Sequence, residues 1–331
     1  MDKGRYDVLI VGAGPIGIAC GIEAQRRKLS HIVIEKSCLV NSIFHYPTNM
    51  TFFSTSDRLE IGDIPFISHG IKPTRREALE YYRRVASAWR LNVKLYEEVL
   101  EIKEIAGDFK IITTRGSYNA KTVIIATGYY DNANMLDIPG ENLPKVKHYY
   151  NEPHPYVYQK VAVVGAGNSA VDVALELYRI GAEVTMIIRE SQFKEGIKYW
   201  VKPDIENRIN EGSIKAYFES KVTRIFEKSL EILTPNGKKN LKNDFLFAMT
   251  GYHPDYKLLK GVGVHISQDE SKSPIYNLDS YETDRNGIYL AGVVCGGMET
   301  SLLFIENSRE HPTFIFDHME KNYLNIVSKP I

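Results

Sequence analysis

Cysteine is scarce in this chain: Cys20, Cys38 and Cys295 are the only three, and no Cys-x-x-Cys spacing occurs. An odd, sparse set of this kind excludes a disulfide framework, a cysteine-based zinc ribbon and a thioredoxin-type dithiol. An excess of one charge is lacking as well. Lys and Arg total 41 and Asp and Glu total 41, so the formal net charge is zero. That balance argues against a nucleic acid or an anionic membrane surface as the main partner. No apolar run approaches the roughly 18–20 residues that span a bilayer. The nine histidines show no His-Glu-x-x-His spacing and no cluster with acids, so no metal site is expected. A Gly-x-Ser-x-Gly nucleophile turn is also missing. A strand pattern starts by Tyr6, which leaves no room for a cleaved signal peptide, and a cytoplasmic setting is expected.

What is present is an ordinary globular mixture long enough, at 331 residues, for about two domains. Its clearest feature is an internal duplication. YDVLIVGAGPIGIACGIEA (6–24) reads as apolar strand, glycine turn and helix, and QKVAVVGAGNSAVDVALEL (159–177) repeats that order. A second strand follows each copy, HIVIEK at 31–36 and EVTMIIRE at 183–190. Short alternating segments come next and read as β-meanders. They are VLEIKEI, FKIITT and AKTVIIATG in the first copy, and IKAYFES, VTRIFEKS, LEILT, an Asn236-Gly237 turn and DFLFAMTG in the second. Both copies close on Thr-Gly, at Thr127-Gly128 and Thr250-Gly251. Thr74 and Glu77 have the spacing of a capping box ahead of a helix through about Trp89. The proline-rich stretch 140–158 reads as the crossing between domains. Residues 287–307 read as strand, glycine-rich turn and helix, a late return to the first sheet.

Gly12, Gly14 and Gly17 fit Gly-x-Gly-x-x-Gly between a strand and a helix. The first glycine permits the tight turn, the second lets a pyrophosphate approach the backbone, and the third allows close helix–strand packing. Pro15 and Ile16 lie inside this motif, and Pro15 suits a first helical turn. Glu35 ends the second strand, 23 positions after Gly12, where a carboxylate accepts ribose hydroxyls. In the second copy Gly165, Gly167, Asn168, Ser169 and Ala170 form the Gly-x-Gly-x-x-Ala variant. The residue at the corresponding strand end is Arg189, which suggests a 2′-phosphate and hence NADPH, with Lys194 and Lys198 as further nearby cations. One acid-coded and one base-coded loop imply two different dinucleotides, FAD and NADPH. The expected fold is α/β, with two Rossmann-like, three-layer ββα dinucleotide-binding domains. A discontinuous FAD domain would span 1–150 and 280–331, and an NADPH domain 155–279. Lys36, Val99, Thr127, Gly128, Gly292, Val293 and Thr300 are expected to join the FAD side, with a helix beginning near Thr300 aimed at the flavin. Gly251 is expected to join the NADPH side. Cys20 reads as a core thiol and Cys38 as incidental. Cys295, in a glycine-rich turn ahead of a helix whose N-terminus would lower its thiol pKa, is the candidate catalytic thiol, beside a purely structural reading of it as a small core residue.

The two-dinucleotide layout resembles the low-molecular-weight thioredoxin-reductase-like flavoproteins over essentially the whole chain. Four stretches are more specific: YPTNMTFFSTSDRLEIGDIPF (46–66), ATGYYDN (126–132), FAMTGYHPDY (247–256) and YLAGVVCGG (289–297). These are similar to the bacillithiol disulfide reductase family. The resemblance implies an NADPH-dependent flavoenzyme that recycles an oxidised low-molecular-weight thiol. The chain departs from it at Ile16, where better-known members carry the cysteine of Gly-Gly-Gly-Pro-Cys-Gly, so a mixed disulfide at that position does not transfer. It departs from thioredoxin reductases at Val293, where they have Asp, so backbone groups must carry the contact to the ribitol. The expected partner is a small-molecule disulfide or another electron acceptor, with no nucleic acid and no membrane, in a homo-oligomer of two or more copies. Three alternatives stay open. They are a ferredoxin or flavodoxin reductase, a flavin-monooxygenase-like enzyme, and a non-catalytic redox-sensing flavoprotein. Against the second, HYYNEPHPY (148–156) does not match Phe-x-Gly-x-x-x-His.

Overall fold

The computed structural model describes residues 2–194 and 196–324, in two compact units. The first unit holds the chain up to His45, Met50–Asn132 and the part from Tyr252 onward; the second holds Tyr46–Asn49 and Ala133–Gly251. No helix of the described residues is long and apolar enough to cross a membrane.

The first unit opens with β1 (Asp2–Val11), α1 (Pro15–Arg26), β2 (His31–Ile34), α2 (Asn41–Phe44) and α3 (Arg75–Ala88). It continues through β3 (Val93–Lys94), β4 (Val99–Ile105), β5 (Asp108–Thr113) and β6 (Gly116–Ile125). These strands form one sheet in the order β3-β2-β1-β6-β5-β4. β1 is apolar on both faces because both are covered: Leu9 and Val11 enter one core, Val8 and Ile10 the other. α3 starts where the sequence signals. Thr74 accepts from the Glu77 N–H, the Glu77 carboxylate accepts from the Thr74 N–H at 2.7 Å, and Trp89 caps the C-terminus.

The second unit contains β7 (Val146–Lys147), β8 (Lys160–Val164), α4 (Asn168–Arg179), β9 (Glu183–Ile187), α5 (Lys202–Asn210) and β10 (Lys215–Tyr217). It then runs through β11 (Lys221–Ile225), β12 (Ser229–Thr234), β13 (Gly237–Lys242) and β14 (Phe245–Ala248). Its main sheet is parallel, in the order β10-β9-β8-β14-β7, while β11, β12 and β13 form a separate antiparallel sheet. The chain then re-enters the first unit with α6 (Tyr256–Gly261), β15 (Ile288–Leu290), α7 (Ile305–Ser308) and α8 (His311–Asn322). β15 pairs with β6 in parallel, Leu290 opposite Ile125.

Four details differ from the sequence reading. The stretch 140–158 is not a free crossing: β7 pairs with β14, and the division between units falls between Asn132 and Ala133. Residues 252–279 belong to the first unit because Leu259, Val262 and Val264 bury into the core that also holds Leu9 and Ile125. The IKAYFES segment is no part of a meander; β10 extends the parallel sheet beside β9. No helix begins at Thr300, since Gly292–Gly296 form a 3-10 turn and α7 starts at Ile305. The expected FAD segment 280–331 also runs beyond the described residues, which end at 324.

Candidate functional site

In each unit the carboxyl ends of the central strands stop level with one another, and the loops that follow hold the sequence-predicted residues. In the first, Val11 is in register with Ile34 and Ile125, and Ile125 with Leu290. Gly12, Glu35, Thr127 and Gly292 thus emerge along one sheet edge, the place where open α/β sheets bind ligands.

Gly12 has φ +105°, and a Cβ there would lie 2.5 Å from the Ala126 carbonyl oxygen. A Cβ on Gly17 would lie 1.9 Å from the carbonyl oxygen of Gly12, so the helix meets the loop only if this residue is glycine. Gly14 differs. It is the N-cap of α1, no side chain caps it, Pro15 follows, and a Cβ would meet nothing within 4 Å. That open space at an uncapped helix N-terminus fits a pyrophosphate.

Glu35 is 7% exposed and is held at this loop by two backbone donors, the N–H of Ala13 at 2.8 Å and of Ser37 at 2.9 Å. Burial pushes its carboxyl up, and the two N–H bonds oppose that shift. The lone pairs those donors leave free suit ribose hydroxyls. Lys36 pairs with Asp131 at 2.8 Å. Ile16, Gly128, Gly292 and Val293 converge. A Cβ on Gly292 would lie 3.2 Å from the Ile16 Cβ, and one on Gly128 3.8 Å from a Val293 methyl. Tyr129, next to Gly128, donates its hydroxyl to the Thr300 carbonyl at 3.1 Å. Val99 is not drawn into this cluster: it opens β4 opposite Thr113 and packs on the core.

His311 was not singled out by any motif. It is 3% exposed, stacks on Tyr281 with ring centroids 4.1 Å apart, and its Nδ1 accepts the Gly292 N–H at 3.2 Å. Burial lowers the imidazole to about 4, which keeps it neutral and able to accept that bond.

Cys295 corrects an electrostatic expectation. It is 2% exposed in the core with Leu290 and Val294, and burial pushes its thiol up, the opposite of a helix-stabilised thiolate. Cys20 is buried as well, and Cys38 is half-buried.

The second unit repeats the loop. Val164 is in register with Ile187 and Ala248, so Gly165 follows one strand and Arg189 lies just past another. Gly165 has φ +132°, and a Cβ would lie 2.4 Å from the Met249 carbonyl oxygen. Gly167 is the uncapped N-cap of α4 with open space before it, so the pyrophosphate of a second dinucleotide fits there. Ala170 is buried and Ser169 exposed. The Asn168 side chain is not free for a ligand: it donates to the Gly196 carbonyl at 2.8 Å and accepts the Lys198 N–H at 2.9 Å. The Arg189 side chain is 84% exposed, 3.2 Å from Glu190. Gly251, at φ +88°, accepts from the Asn134 N–H at 2.9 Å.

The chain matches the pyridine nucleotide-disulphide oxidoreductase family over residues 9–292. Bacilliredoxin reductase Bdr of Bacillus subtilis is 42% identical over 307 residues, 92% of this chain and 94% of the relative. The solved bacillithiol disulfide reductase Bdr (YpdA) of Staphylococcus aureus is 42% identical with a TM-score of 0.93, over 96% of this chain and 99% of that one. The chain belongs to the bacillithiol disulfide reductase family, within the pyridine nucleotide-disulphide oxidoreductases. As a family member it is an oxidoreductase whose cofactors are FAD and NADPH. Its fold is thioredoxin-reductase-like; Lactococcus lactis thioredoxin reductase, 19% identical, superposes with a TM-score of 0.76 over 97% of this chain and all of its own.

Proposed function

We propose that this chain reduces a bacillithiol-type disulfide with NADPH, with the balance RSSR + NADPH + H⁺ → 2 RSH + NADP⁺. The observation that carries this reading is the pair of nucleotide loops with opposite charge coding, Glu35 beside one and Arg189 beyond the other, in a chain 42% identical to relatives named for bacillithiol disulfide and for bacilliredoxin. Bound FAD would supply two-electron chemistry between a hydride donor and a disulfide. The chain's own residues bind and orient. Gly12, Gly14, Pro15, Gly17 and Glu35 hold one dinucleotide; Gly165, Gly167 and Arg189 hold the other. Ile16, Gly128, Gly292 and Val293 offer a close-packed surface without a thiol. With an isoleucine at position 16 and with Cys20 and Cys295 buried, electrons pass directly to a bound substrate, with no protein mixed disulfide between. The reading includes a cytoplasmic setting and a homo-oligomer of two or more copies.

The test is NADPH oxidation by the FAD-loaded chain with bacillithiol disulfide, cystine, ferredoxin and oxygen as acceptors, repeated for Cys295→Ser. Bacillithiol disulfide is expected to be the fastest acceptor, and the Cys295→Ser variant to be reoxidised by it at an unchanged rate. Turnover supported equally by ferredoxin or oxygen would overturn the substrate. Selective loss of disulfide-dependent reoxidation in Cys295→Ser would overturn direct transfer.

A further inference from the structure

Three cations lie in sequence at or after the end of β9: Arg189, Lys194 and Lys198. By sequence alone any of them suits the 2′-phosphate of NADPH. Their surroundings separate them. The Lys198 side chain is 16% exposed, and its Nζ lies 2.6 Å from an Asp172 carboxylate oxygen. Asp172 is one turn along α4 from Asn168, on the same face. Asn168 grips the same piece of chain through both ends of its amide, with a carbonyl (Gly196) on one side and an N–H (Lys198) on the other, which fixes the amide's orientation. Two apolar anchors flank it, since Phe193 and Ile197 are buried in the core that α4 covers. Between them Lys194 is exposed, its own N–H 3.4 Å from the Ala166 carbonyl of the glycine loop, and it has no ion pair among the described residues.

Magnitudes decide which cation is free. An ion pair as exposed as Arg189–Glu190 is worth well under about 1 kcal/mol, so a phosphate dianion displaces Glu190 readily. The Lys198–Asp172 pair is half-buried, its lysine 16% and its carboxylate 40% exposed, and at 2.6 Å it is the shorter contact, so it gives up its cation less readily. Lys198 is therefore committed to Asp172.

Resting on the NADPH reading above, we propose that Asn168, Asp172 and Lys198 form a latch of positioning residues. The latch fastens the chain after β9 onto α4, so that Arg189 and Lys194, not Lys198, read the 2′-phosphate.

The test is titration of the FAD-loaded, full-length chain with NADP⁺ and with NAD⁺, with the flavin spectrum and melting temperature as folding controls. Asn168→Ala, Asp172→Asn and Lys198→Met are each expected to weaken NADP⁺ binding about five- to tenfold and NAD⁺ binding much less. The Asp172→Asn/Lys198→Met double variant is expected to be no weaker than either single one. The charge swap Asp172→Lys/Lys198→Asp is expected to recover most of the affinity, because it rebuilds the pair. If Lys198 touches the phosphate itself, Lys198→Met weakens binding while Asp172→Asn tightens it and the swap fails to rescue. Those results would overturn the proposal. Failure of the NADPH reading looks different: the unaltered chain would then bind NAD⁺ as tightly as NADP⁺, and Arg189→Ala would change neither.

Discussion

A Cβ at position 12 would sit 2.5 Å from the Ala126 carbonyl oxygen, and one at position 165 would sit 2.4 Å from that of Met249. The duplication visible in the sequence is therefore a repeated steric requirement, in which a strand-end carbonyl closes on the first glycine of each loop. The glycines of one motif do different work, and substitution separates them. Gly17→Ala places a methyl 1.9 Å from a backbone oxygen and is expected to destabilise the apo chain by roughly 2–4 kcal/mol, read by urea denaturation. Gly14→Ala meets nothing, so apo stability should hold while FAD occupancy, read from absorbance, falls sharply. Equal destabilisation by both would contradict this division. His311 makes a pH prediction. The unfolded imidazole protonates near 6.5 and the folded one only near 4, so stability falls as pH drops through that window and is untouched by this group above it. The full effect is roughly 3 kcal/mol at the acid end. His311→Gln should flatten that slope in denaturation midpoints taken from pH 7 to 4, and an unchanged slope would remove His311 as its source.

At the scale of the element, α3 was legible almost residue by residue. Its capping box is a local pattern of four residues, and its buried positions Ala78, Tyr81, Tyr82 and Val85 repeat with helical spacing. Thr74→Ala removes one acceptor of an N-terminal N–H and should cost about 1 kcal/mol in chemical denaturation, with no change in NADPH turnover. The turn after β15 was misread for an equally physical reason. Gly297 has φ +56°, and a Cβ there would strike the Ser271 carbonyl oxygen at 2.4 Å. A segment more than twenty residues earlier thus shapes the turn, and α7 begins only at Ile305, where the Asn307 side chain accepts the Phe304 N–H at 2.7 Å.

At the scale of the molecule, each dinucleotide loop lies within one unit. FAD is expected to slow amide exchange mainly in Asp2–His45, Met50–Asn132 and the described part from Tyr252, and NADP⁺ mainly in Ala133–Gly251. Hydrogen exchange of the FAD-loaded chain with and without NADP⁺ checks this. Protection by NADP⁺ confined to the first unit would contradict the assignment of the second loop.

Sequence by itself determined what short-range pattern can encode: two strand–glycine–helix loops, the acid and the arginine at the matching strand ends, and the cap of α3. Each rests on backbone geometry or charge within a few dozen residues. The tertiary structure alone decided that 252–279 returns to the first core, that Cys295 is sealed among apolar side chains, that His311 stays neutral beneath Gly292, and that Lys198 is held by Asp172. Burial and ion pairing sum over atoms that folding brings from distant parts of the chain. A residue's neighbours in sequence do not disclose them.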